Sequence, residues 1–173
     1  MYDVKKTKFE GLYVIKNPSY PDRKRGYFSE RYNKFTLQKK IGKNLNFFQD
    51  NLSYSKKGVL RGMHFQSPKP QAKLVSVCYG KIQDVALDIR KNSCTYGKYF
   101  SIILSSSNHT QLLIPKGFAH GFLVLSDFAI VNYKVDFRYI PENQKTIFYN
   151  DKKFNIKWSK SINKIILSKK DTP

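Results

Sequence analysis

KLVSVCYGKIQDVALDI, residues 73–89, holds two runs rich in Val, Ile and Leu, 73–79 and 82–89, joined through Tyr79, Gly80 and Lys81. Runs of that length and composition read as strands, and a glycine in so short a join lets the chain reverse on itself. The segment is therefore an antiparallel hairpin. The same pattern repeats outward in both directions, with strand-like runs at 27–30, 45–54, 59–65, 99–104, 111–114, 119–125 and 128–135. Turn-forming residues separate them: NPSYPDRKRG at 17–26 reads as a loop, RKNSCTYGK at 90–98 as a longer one, SSSN at 105–108 as a turn and SD at 126–127 as a second hairpin. Many short strands with regular turns predict an all-β antiparallel sandwich or barrel, and at 173 residues a jelly roll is the natural candidate. Helix is expected only in short pieces, at 31–41 and after Trp158.

Composition supports the class and narrows the setting. Thirteen phenylalanines and twelve tyrosines stand against one tryptophan, a bias that favours strands. No repeat or linker divides the chain, so residues 1–173 are read as one domain. No secretory leader is visible, and no apolar run approaches the ~20 residues of a membrane span. The expectation is a soluble, cytoplasmic protein with no membrane partner. Cys78 and Cys94 have no motif spacing, which suits a reducing compartment and offers neither a disulfide nor a zinc site. The net charge of +20 permits a nucleic-acid partner. Its lysines, however, fall as scattered doublets rather than along one element, and no aromatic-plus-basic recognition motif accompanies them, so no nucleic-acid partner is expected.

Two stretches carry chemistry. GVLRGMHFQ, residues 58–66, puts Arg61 and His64 inside a strand, where a charge is costly unless paired or used. Strict alternation places Arg61 with Met63 and Phe65 and His64 with Leu60 and Gln66, on opposite faces. Both can reach one cavity only if the strand is kinked between them, and Gly62 is where a bulge would do this. A half-buried strand with His64 satisfied by a backbone partner stands beside that reading. IPKGFAHGFLVLSD, residues 114–127, contains Pro115, Gly117 and His120 in the order P-x-G-x-x-H.

That last motif resembles the second motif of the cupin superfamily, a double-stranded β-helix of jelly-roll type. Metal-binding cupins add an H-x-H pair and a glutamate. Here His64 is followed by Phe65, and glutamate occurs only at 10, 30 and 142. A metal-free cupin is the better reading.

Taken in order, FFQDNLSYSKKGVLRGMHFQ, QAKLV, DVALDIRKNSCTYGKY, IPKGFAHGFLVLSD, YK and LSKKD resemble the dTDP-4-dehydrorhamnose 3,5-epimerase family over residues 25–171. The resemblance implies a cofactor-independent isomerase that inverts carbons beside the 4-keto group of a nucleotide-diphospho-6-deoxy sugar. Such chemistry needs a base on one face, an acid on the other and a group that stabilises the enolate oxygen. The match assigns His64 as base, Asp171 as its dyad carboxylate, Tyr133 as acid and Lys73 as the group near the keto oxygen. Gln49, Asn51, Arg61, Asp84, His120 and Tyr139 match substrate-binding or cavity-lining positions. Arg25, Phe28 and Glu30 match a segment that reaches the nucleotide, in homodimers across to the partner's site.

The chain departs from the family's usual residues at Met63, Phe65, Ser76, Lys81 and Cys94, and again at Phe137 and Arg138. The last pair leaves open which carbons are inverted. Two rival functions keep the fold: an epimerase of a GDP-linked 4-keto heptose and a non-catalytic sugar-nucleotide-binding cupin.

Overall fold

A computed structural model describes residues 1–173. Its elements run β1 (Asp3–Lys6), β2 (Tyr13–Lys16), β3 (Ser19–Asp22), β4 (Gly26–Ser29), α1 (Lys34–Ile41), β5 (Gln49–Lys56), β6 (Leu60–Gln66) and β7 (Lys73–Tyr79). They continue with β8 (Lys81–Asp88), β9 (Tyr99–Ser105), β10 (Thr110–Ile114), β11 (Phe118–Val124), β12 (Phe128–Val135) and β13 (Gln144–Thr146). Two antiparallel sheets result, ordered β1-β2-β10-β7-β12-β5 and β13-β6-β11-β8-β9, with β3 and β4 forming a separate hairpin. This is the cupin jelly roll. No helix is long and apolar enough to cross a membrane.

Apolar side chains settle which faces meet. Val75, Val77 and Val131 from the six-stranded sheet pack against Ile82, Ala86, Leu104 and Phe122 from the five-stranded one, forming the central core. The outer face of the larger sheet is not left to water: Leu37 and Ile41 of α1 cover Tyr13, Ile15, Leu74 and Leu113. Outside the smaller sheet, Met63, Val85, Leu87 and Ala119 are covered by Ile156 and its neighbours Phe154 and Trp158. Burying a side chain of this size contributes about 1.5–3 kcal/mol, so both covers hold their segments firmly.

Local chemistry fixes the ends of elements. Asn33 Oδ1 accepts the Thr36 amide at 3.1 Å and starts α1, which is why the helix expected over 31–41 begins three residues late. Gly42 ends it at φ 72°. In the central hairpin Gly80 sits at φ +79°, and a Cβ there would lie 2.2 Å from the Phe128 carbonyl oxygen. Only glycine fits.

Three expectations need correction. Residues 17–26 are not simply a loop, because β3 lies within them and pairs with β4. The stretch after Trp158 forms no α-helix; its only helical turn is a 3₁₀ turn at Lys169–Asp171. The strands β1, β2 and β13 were not anticipated. β1, the edge strand DVKK, is polar and largely exposed, so no apolar alternation announces it.

Candidate active site

Between the two sheets, at one end, lies a cavity of about 570 Å³. One wall comes from the six-stranded sheet, with Gln49, Asn51 and Ser53 on β5, Lys73 on β7 and Tyr133 on β12. The facing wall comes from the five-stranded sheet, with Arg61 and His64 on β6 and His120 and Phe122 on β11. Ser168, Lys170 and Asp171 close it from the C-terminal segment. His64 and Tyr133 therefore project into one space from opposite sheets.

The strand carrying His64 is irregular where both of its polar groups needed to turn inward. Along β11, His120 pairs with His64 and Phe122 with Arg61, so two steps on one strand match three on the other. The extra residue changes the phase of the pleat, and Arg61 and His64 line the same cavity. Gly62, at φ +114°, allows it: a Cβ there would meet Gly121 Cα and the His120 carbonyl oxygen, both at 2.6 Å. Met63 meanwhile points to the opposite side, into the outer core.

Asp171 lies 107 residues beyond His64, and backbone bonds bring it back. Ile166 bridges Val59 in parallel, donating its amide to Gly58 at 2.8 Å and accepting that of Leu60 at 3.0 Å. The following turn then delivers Asp171, 2% exposed, to the imidazole. His64 Nε2 donates to Asp171 Oδ1 at 2.5 Å, and Ser168 Oγ donates to Oδ2 at 2.8 Å. With Nε2 held as the donor, Nδ1 is the ring nitrogen left to accept a proton. Burial pushes the imidazole below its ordinary pKa, aided by Lys170 and Lys73 and opposed by Asp171. The ring is neutral at pH 7.

Opposite it, burial raises the Tyr133 phenol above its ordinary range, with Arg61 pulling the other way. A phenol so placed stays protonated and can donate. Burial lowers the Lys73 ammonium to about 8, opposed by Asp84, so it is charged at neutral pH. Behind the wall, Asp84 Oδ1 accepts from His120 Nε2 at 2.7 Å, both groups being buried, and Asp84 Oδ2 has no partner. Asp84 thus supports the wall through His120 rather than lining it.

The mouth is polar. Gln49 Nε2 donates to Asn51 Oδ1 at 2.7 Å, and Gln49 Oε1 accepts the Tyr139 amide at 2.9 Å. Tyr139 donates its hydroxyl to Gln144 at 2.8 Å. Arg61 is anchored by Nε to Ser55 Oγ at 2.8 Å. Nowhere do three His, Cys, Asp or Glu side chains gather as a metal-binding set.

Three expected residues lie elsewhere. Arg25 pairs with Asp22 at 2.5 Å, Phe28 stacks on Tyr20, and Glu30 accepts from Asn33 at 3.1 Å. All three belong to the β3–β4 hairpin or its exit, and none lines this chain's own cavity. Conversely, Ser168, Lys170, Gln71 and Gln144 line the cavity without having been singled out. The motif LSKKD held the first two, three residues and one residue before Asp171, but only the 3₁₀ turn folds them inward.

Comparison with known proteins finds similarity over nearly the whole chain. The family model described as dTDP-4-dehydrorhamnose 3,5-epimerase matches residues 6–173. A protein of that name from Methanothermobacter thermautotrophicus is 47% identical over 96% of this chain and 89% of its own length. The dTDP-6-deoxy-D-glucose-3,5-epimerase of Legionella pneumophila, solved with dTDP-4-keto-L-rhamnose, superposes with a TM-score of 0.94 at 42% identity, over 99% of this chain and 90% of that one. The dTDP-4-dehydrorhamnose 3,5-epimerase of Bacillus anthracis, solved with TDP and pyrophosphate, gives 0.93 at 43% identity, over 99% and 97%.

Proposed function

Given that this chain belongs to the dTDP-4-dehydrorhamnose 3,5-epimerase family, we propose that it inverts C3 and C5 of a dTDP-linked 4-keto-6-deoxy hexose by proton transfer through an enolate, as one domain spanning residues 1–173. The 4-keto group makes the adjacent C–H acidic, because the carbanion delocalises onto oxygen. His64 Nδ1 takes that proton. Asp171 then stabilises the imidazolium, as a charge-assisted bond is about twice as strong as a neutral one. The Lys73 ammonium favours the enolate oxygen, and the Tyr133 hydroxyl returns a proton to the opposite face. Arg61 and the amides of Gln49 and Asn51 hold the sugar and diphosphate, and His120, backed by Asp84, and Tyr139 border the sugar.

One observation carries this reading: base and acid enter a single cavity from opposite sheets. A planar enolate between them is protonated on the face from which no proton was taken. That is inversion.

The protein works as a cytoplasmic homodimer in this account. The β3–β4 hairpin stands apart from its own cavity with Phe28 69% exposed, which suits a segment that completes a second copy's nucleotide site. The test is to incubate the pure protein with dTDP- and GDP-linked 4-keto-6-deoxy sugars in D₂O and read C3 and C5 by proton NMR. Deuterium at both carbons of the dTDP sugar is expected. Exchange at neither carbon would overturn the proposal.

A further inference from the structure

A second cavity, of about 420 Å³, lies behind the first. The two share a wall made of Phe65, Gln66, Gln71 and Lys73, and its far rim carries the exposed Lys91 and Tyr96. Of the four shared residues only Lys73 can carry a proton. The amides are already engaged: Gln66 with Lys69, Arg138 and Ile140, and Gln71 with the Phe137 carbonyl. Lys73 is influenced by burial and by the charge of Asp84, and by no hydrogen bond. Its ammonium is free to serve either side.

The need for such a group follows from the proposed chemistry, on which this inference rests. Each inversion breaks one C–H bond and forms another. It leaves His64 as imidazolium and Tyr133 as phenolate. A second inversion on the same bound sugar requires one proton to pass from the His64 side to the Tyr133 side while the sugar nucleotide fills the front cavity.

We infer that the second cavity is a water-filled rear entrance through which Lys73 restores Tyr133 between the two inversions. A Lys73 N–H bond breaks as the Tyr133 O–H bond forms, leaving a neutral amine. The amine regains a proton from solvent through the rear cavity, and the His64 imidazolium, 21% exposed, returns one to solvent. Charge and atoms balance, with water as the only co-reactant. The placement suits the transfer: Tyr133 pairs with Val75 and Val135 with Lys73 across β12 and β7, so Lys73 is the diagonal neighbour of Tyr133 on the inward face. The volume suits it too, since a water occupies about 30 Å³, and Ser67, Lys91 and Tyr96 add polar atoms to a lining that is mostly apolar. A depressed ammonium pKa eases the release.

Ile89→Phe and Tyr96→Trp narrow the rear cavity without touching the front one. With the wild-type protein as reference and melting used to confirm folding, inversion at C3 and C5 is followed in D₂O by rapid quench and NMR. Each variant should keep the first inversion within about twofold, slow the second at least tenfold, and accumulate the singly inverted sugar. Lys73→Arg keeps a cation but does not release its proton at neutral pH, so it should lower the same ratio independently of any packing change. A ratio equal to wild type in Lys73→Arg and in whichever filled variant folds would overturn the inference. Wild-type protein that exchanges neither carbon would instead overturn the functional reading.

Discussion

Replacing Asp171 by Asn removes one negative charge from the base and almost no volume. The carboxylate is 2% exposed and accepts from His64 at 2.5 Å, so little water screens its effect on the imidazolium. A hydrogen bond to a charged group contributes about 1.5–3 kcal/mol, and stranding a buried charge without its partner costs about 3–5 kcal/mol. His64 is 21% exposed, which places the loss toward the middle of these ranges, about 2–4 kcal/mol. That energy is felt only once the imidazole has taken the proton, so it falls on the chemical step. At 1.36 kcal/mol per decade, kcat should drop roughly 30- to 1,000-fold with KM almost unchanged. Initial rates of deuterium incorporation into the dTDP-linked 4-keto sugar give kcat, and titration of the sugar gives KM. Without the carboxylate, burial acts on the ring unopposed, so the acid limb of the pH profile should also move down. A folded Asp171→Asn protein with kcat within threefold of wild type would refute the argument.

Other perturbations separate the parts of the site. His64→Asn should abolish deuterium incorporation while leaving sugar-nucleotide affinity within a few-fold, as calorimetry would show. Tyr133→Phe should cut inversion about 10²- to 10⁴-fold, the usual contribution of a general acid, yet retain exchange without inversion on the His64 side; loss of both would contradict the assignment. The kcat/KM profile of the wild type should be bell-shaped. Its acid limb should lie below about 6.5, because a protonated His64 cannot act as a base and burial lowers its pKa. Its alkaline limb should lie near 8, where Lys73 loses its charge. Far from the site, Asp88 is fully buried and accepts from Arg90, Ser93 and Thr95. Asp88→Ala should destabilise the fold by about 3 kcal/mol, lowering Tm by roughly 6–12 °C in a chain of this size.

Of the strands in the two facing sheets, β5 to β12 were legible because their apolar residues alternate or run unbroken, as in 73–79 and 128–135, whose limits coincide with β7 and β12. Strands at the margin were not: β1 buries almost nothing, and β3 contains Pro21, which argues against a strand unless it lies at an edge. At the site, Gly62 flagged the bulge that lets Arg61 and His64 share a cavity, since a glycine within a strand is rarely there for packing. Spacing alone could never have joined Asp171 to His64. That contact depends on the parallel bridge from Ile166 to Val59, a tertiary pairing with no local signature. For Arg25, Phe28 and Glu30 no residue pattern gave a position; only the family resemblance implied a segment that reaches a second copy's nucleotide site, and their hairpin lies outside its own cavity.

The most direct test is a crystal structure of the protein with dTDP-rhamnose, a stable analogue of the keto sugar. The account predicts the hexose ring between the sheets, His64 Nδ1 facing one side of it, the Tyr133 hydroxyl facing the other and Lys73 nearest O4. A ring lying outside the cavity, or with His64 and Tyr133 against the same face, would contradict it.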